Sequence, residues 1–146
     1  MMFRSILAIT ALAVGMSAAV AQQDPIAARK ALMKTMGAQS GQAAKFMKGE
    51  ETFDLAKAKR VFQVIAEDAE RAPALFPDTA KTGGDTAALP AIWEKNDDFK
   101  ARFAKLASDA KAAEAATKDE ASFKAALPAV SRNCGGCHEL YRARKS

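Results

Sequence analysis

Cysteine and histidine are nearly absent: the 146 residues include two cysteines and one histidine. That scarcity excludes a disulfide-stapled scaffold and a structural zinc site, which needs four ligands. Beyond the N-terminus no apolar run approaches the roughly 20 residues of a bilayer span, so no membrane-spanning segment is expected in the mature chain. Charge of one sign is not concentrated either. The net charge is +5, and the lysines and arginines are spread along the chain, without the dense basic stripe of a nucleic-acid binder. No nucleophile stands beside an acid–base partner in the sequence, so the expectation is a protein that is not an enzyme.

The few cysteines and the histidine are all in one place. Cys134-Gly135-Gly136-Cys137-His138 is a C-x-x-C-H motif, the attachment signature of c-type haem. Residues three and four apart share a helical face, so both thiols and the imidazole can point at one porphyrin. Cys134 and Cys137 are expected to form thioethers to the haem vinyl groups, with His138 as proximal iron ligand. A thioredoxin-like C-x-x-C would need a strand–helix–strand setting, which the chain does not offer. A plain disulfide would leave His138 unexplained.

The first 21 residues read as a secretory leader. Arg4 supplies the positive start, Ile6 to Val14 the apolar stretch, and Ala19-Val20-Ala21 a small-x-small cleavage site. The alternative, a retained membrane anchor, is disfavoured by the shortness of that stretch. The expected division is a cleaved leader over 1–21 and one domain over 22–146. Export to a bacterial periplasm agrees with the haem motif, because thioether-forming thiols are handled outside the cytosol.

From Asp24 onward, Ala, Lys and Glu dominate and apolar residues recur in steps of three and four, which predicts helices throughout. The first opens with Asp24 as N-cap and Pro25 in its first turn and stops at Gly49. Its expected apolar face is Ile26, Arg29, Met33, Met36, Ser40, Ala43 and Met47. The second runs from near Thr52 or Asp54 to about Ala72, before Pro73, with Leu55, Ala58, Phe62, Ile65, Ala69 and Ala72 inward. Pro77 to Pro90, with Gly83-Gly84-Asp85, reads as a loop, and Ile92-Trp93 as a short helical turn. The third helix spans Asp97 to about Ala116. The fourth starts near Asp119 and carries Phe123, Leu127, Val130, Cys134, Cys137 and Tyr141 on one stripe, with Pro128 expected to kink it or cost one backbone bond. The pattern is an all-α, antiparallel up-down-up-down four-helix bundle, whose alanine-rich faces leave room for a flat macrocycle between helices.

A haem motif at the end of a four-helix chain, followed by Tyr141-Arg142, together with Pro90-Ala91-Ile92-Trp93 before Phe99 and the Arg29 to Met33 segment, resembles the class II cytochromes c. These are the cytochromes c-prime and their low-spin relatives, and the likeness spans Gln22 to Ser146. The resemblance implies one covalent haem c per chain, redox partner proteins and, in many members, a homodimer through the first two helices. It also places the residue one turn after an early first-helix arginine at the sixth coordination position of the iron. Where high-spin members carry an apolar, non-ligating side chain, this chain has Met33. The resemblance therefore implies a methionine-ligated, low-spin one-electron carrier, with Met33 opposite His138. Met36 as ligand, or no methionine ligand at all, stay open, since methionine at helical spacing is often plain core. The rival function is a high-spin, c-prime-like protein binding NO or CO at an open iron position. Arg29 is a candidate for a haem propionate contact or else a snorkelling surface cation. Arg142 and Trp93 are candidates for lining the haem pocket.

Overall fold

Capping chemistry sets the bounds of the helices in the computed structural model, which describes residues 24–144. Helix α1 covers Pro25–Lys48: the Asp24 carboxylate accepts from the Ile26 amide at 3.0 Å, and Gly49 closes the helix at φ 70°. That left-handed value is one glycine adopts at no steric cost. Helix α2, Leu55–Arg71, starts at Asp54, whose side chain accepts from the Lys57 amide at 2.8 Å. The chain then tightens into 3-10 turns at Ala72–Leu75 and Asp78–Ala80. A short helix α3, Ala91–Glu94, precedes α4, Asn96–Ala116. Helix α5, Glu120–Tyr141, opens on a capping box in which Asp119 and Ser122 each accept from the other's backbone amide. It runs unbroken through Pro128, which has no N–H to offer the Lys124 carbonyl. The predicted leader, 1–21, lies outside the described residues.

The four long helices form the expected bundle. Along its sides α1 packs on α2, α2 on α4 and α4 on α5, whereas α1 and α5 meet at few points. Three sides of the square are closed and the fourth is a seam. Aromatic clusters seal the ends. Phe46, Phe53, Phe62 and Phe123 meet at centroid separations of 5.3 to 5.9 Å. At the other end Phe76, Trp93, Phe99, Phe103 and Tyr141 pack at 4.8 to 6.4 Å. Such pairs contribute about 0.5–1.5 kcal/mol each beyond burial.

The seam corrects one expectation. On α1 the buried residues are Ile26, Arg29, Leu32, Met36, Ala43 and Phe46, while Met33 is half-buried, Ser40 exposed and Met47 41% exposed. The buried line is rotated from the one read off the periodicity because α5 does not close over the flank carrying Met33, Ser40 and Met47. Leu55, expected inward on α2, is 40% exposed at the helix start. On α4 the apolar residues Phe99, Phe103, Leu106, Ala110 and Ala113, spaced by threes and fours, are all buried.

Candidate haem site

The three motif residues lie together on α5, and Cys134, Cys137 and His138 are all half-buried. Beside Cys134 the seam opens into a cleft of about 220 Å³ lined by Ser40, Ala43, Ala44, Ile65, Leu127 and Val130, among others. Most of its lining residues are small or apolar, with Lys48 the charged one.

Electrostatics suit this donor set to thioether and imidazole chemistry. Burial pushes both thiols above the usual cysteine range, so at neutral pH they keep their protons and resist disulfide exchange, which needs the thiolate. Desolvation, with help from the nearby Arg142 charge, pulls His138 below its ordinary value. The neutral ring, the form that binds a metal, therefore prevails at pH 7. Both cysteines are free. Among the described residues no three Cys, His, Asp or Glu side chains converge on a point that could hold a bare metal ion.

Met33 belongs to the seam. Successive α-helical residues turn by about 100°, which puts Met33 on the same flank as Ser40, Ala44 and Met47, all of which line the cleft or its rim. Because Ser40 to Met47 face Leu127 to Cys134 across antiparallel helices, Met33, two turns nearer the α1 N-terminus, stands level with the turn from His138 to Tyr141. Met36 is buried in the core.

Arg29 is buried, not a snorkelling surface cation. It is 4% exposed, and its Nη1 donates to the carbonyls of Ala80 at 2.9 Å and Leu75 at 3.4 Å, while Nη2 donates to Thr86 Oγ1 at 2.7 Å. Its guanidinium carbon lies 4.9 Å from the Phe76 ring centre and 5.9 Å from that of Trp93. Burial lowers its proton affinity and Asp24 opposes that. Trp93 is half-buried and donates through Nε1 to the Phe76 carbonyl at 3.0 Å. Arg142 is exposed, and its backbone pairs with Ala88 in an isolated antiparallel bridge.

Asp98 and Arg102, not singled out in the sequence, also hold the site. Arg102 Nε donates to Asp98 Oδ2 at 2.7 Å, and Tyr141 donates its hydroxyl to that same oxygen. Arg102 also reaches the Gly136 carbonyl, inside the motif, at 3.5 Å. The four-residue spacing of Asp98 and Arg102 was a legible helix pair, but nothing local tied it to Tyr141.

Comparisons with known proteins place this architecture. A family model described as Cytochrome C′ matches residues 24–142. A cytochrome c′ of Rhodopseudomonas palustris is 51% identical over 132 residues, covering 90% of each chain. A cytochrome c-556 of Agrobacterium fabrum is 42% identical over 118 residues, covering 80% of each. The solved structure of the Rhodopseudomonas palustris cytochrome c′ superposes with a TM-score of 0.83 at 50% identity, over 86% of this chain and all of that one. With its C-terminal attachment motif on a bundle open along one side, the chain belongs to the cytochrome c′ family, and its cofactor is a covalently bound haem c.

Proposed function

We propose that this chain is an exported, periplasmic haem protein of the c′ kind. In this reading residues 1–21 are a cleaved leader, Cys134 and Cys137 hold the haem as thioethers, and His138 ligates the iron from α5. The distal face, toward α1, admits a small diatomic such as NO or CO. When bound, the haem supplies a one-electron Fe(III)/Fe(II) couple and an axial coordination position.

The observation that carries this reading is the likeness to a cytochrome c′, at 51% identity against 42% to a cytochrome c-556. The cleft between α1 and α5 beside Cys134 leaves space for a haem between the two helices. The c′ reading thus displaces the His/Met electron carrier from first place.

One observation favours the second reading, in which Met33 binds the iron and the protein shuttles single electrons: Met33 stands level with the His138 turn. Spectra of the purified holoprotein separate the two. A high-spin ferric spectrum and ready CO uptake by the ferrous form are expected, both unchanged in Met33→Leu. A low-spin spectrum with a far-red sulfur-to-iron band, converted to high spin in Met33→Leu, would overturn the proposal in favour of the carrier. Redox partner proteins, and a second copy meeting this one through α1 and α2, complete the reading, and sedimentation of the holoprotein reads the dimer.

A further inference from the structure

The connection from residue 72 to residue 90 is fastened to both walls of the seam. On the α1 side the fastener is Arg29, which gathers three separate points of the connection: the carbonyls of Leu75 and Ala80 and the hydroxyl of Thr86. Thr86 Oγ1 accepts a second bond, from the Ala88 amide at 3.2 Å, so both acceptor positions of that oxygen are used. On the α5 side the fasteners are backbone. The Leu89 amide donates to the Tyr141 carbonyl at 3.1 Å, and the Ala143 amide donates to the Ala87 carbonyl at 2.8 Å. The Arg142 amide in turn donates to the His138 carbonyl at 3.2 Å. An unbroken run of hydrogen bonds and three residues of chain thus joins α1, one turn before Met33, to the α5 turn that carries His138.

The cost of this arrangement argues that it serves a purpose beyond filling space. A buried cation is expensive to desolvate, and all three hydrogen bonds Arg29 makes to the protein go to the 72–90 connection. An apolar side chain would fill the position without that cost but could not hold three points of a loop together. A planar fork with several donors can.

We propose that Arg29 and Thr86 are positioning residues for the haem iron: through the 86–89 segment they set the placement of the His138 turn relative to α1, so that the two faces of the haem are held at a defined separation. This rests on His138 as iron ligand but not on whether the distal position is open.

The test uses the ferric holoprotein and reads two things: the hyperfine-shifted resonances of the His138 ring, and amide hydrogen exchange at Leu89 and Ala143. Thr86→Val keeps the side-chain shape and removes the hydroxyl. It is expected to displace the His138 resonances and to speed exchange at both amides about tenfold, the effect of one lost hydrogen bond. Thr86→Ser restores both. Ser122→Ala, which weakens α5 at its far end, leaves the His138 resonances in place. Should Thr86→Val fail to accumulate as holoprotein, Arg29→Lys, which keeps the charge but loses the fork, carries the same readouts. Unmoved His138 resonances in the loop variants, or an equal displacement in Ser122→Ala, would overturn the positioning role. Absence of hyperfine-shifted His138 signals from the unmutated protein would instead refute His138 as ligand.

Discussion

Tyr141 donates its hydroxyl to Asp98 Oδ2, the oxygen that Arg102 already grips, across 43 residues of sequence. The contact ties the last residue of α5, one turn beyond His138, to the first turn of α4. Its ring stands edge-on to Phe99 at 5.2 Å, with the Arg102 guanidinium 5.8 Å from its centre.

Tyr141→Phe keeps both ring contacts and loses only the hydroxyl's bond. A loss of about 1 kcal/mol is expected, seen as a fall of about 3–6 °C in the thermal midpoint of the holoprotein by circular dichroism. No change in midpoint would mean that water replaces the bond at no cost.

Acid should loosen the same contact. The hydrogen bond from Arg102, then that from Tyr141, holds the Asp98 carboxyl below the usual carboxylate range. A carboxyl whose folded value is depressed contributes stability above its unfolded value, and that contribution is lost as pH falls through the folded one. Urea midpoints measured from pH 6 down to pH 3 should decline, and Asp98→Asn should flatten part of the slope. The remainder is shared by Asp109, Asp119 and Glu51, depressed by bonds from Lys105, Ser122 and Lys57 respectively.

Phe123 has no exposed surface and touches the rings of Phe46, Phe53 and Phe62. Phe123→Ala opens a cavity where three elements meet, and a loss of about 3–5 kcal/mol is expected in denaturant unfolding. A loss under about 1 kcal/mol would show that the cluster collapses into the space.

The start of α5 depends on Asp119. Asp119→Ala removes the cap on the Ser122 amide, 2.8 Å away, and should cost about 1 kcal/mol. Because the cap lies about four turns from the motif, the haem spectrum should stay the same.

Where the controlling interaction spans a single turn, the sequence was sufficient. Asp24, Asp54 and Asp119 start helices by accepting from amides two or three residues on, and Gly49 ends one by its left-handed turn and an amide bonded back to Phe46, so the bundle and its loop were legible. So was the haem motif, since its spacing and its helix are local. Tertiary packing decided which flank of α1 is buried, replacing Met33 and Met47 with Leu32 and Phe46, because burial depends on which neighbour closes over a face and α5 does not close over this one. It also decided the surroundings of Arg29. A cation in an oily stripe could be buried or reach solvent as far as periodicity tells, and the carbonyls it holds come from residues 46 to 51 positions away. Pairings over that span follow from the path of the whole chain, and no window of neighbouring residues encodes them.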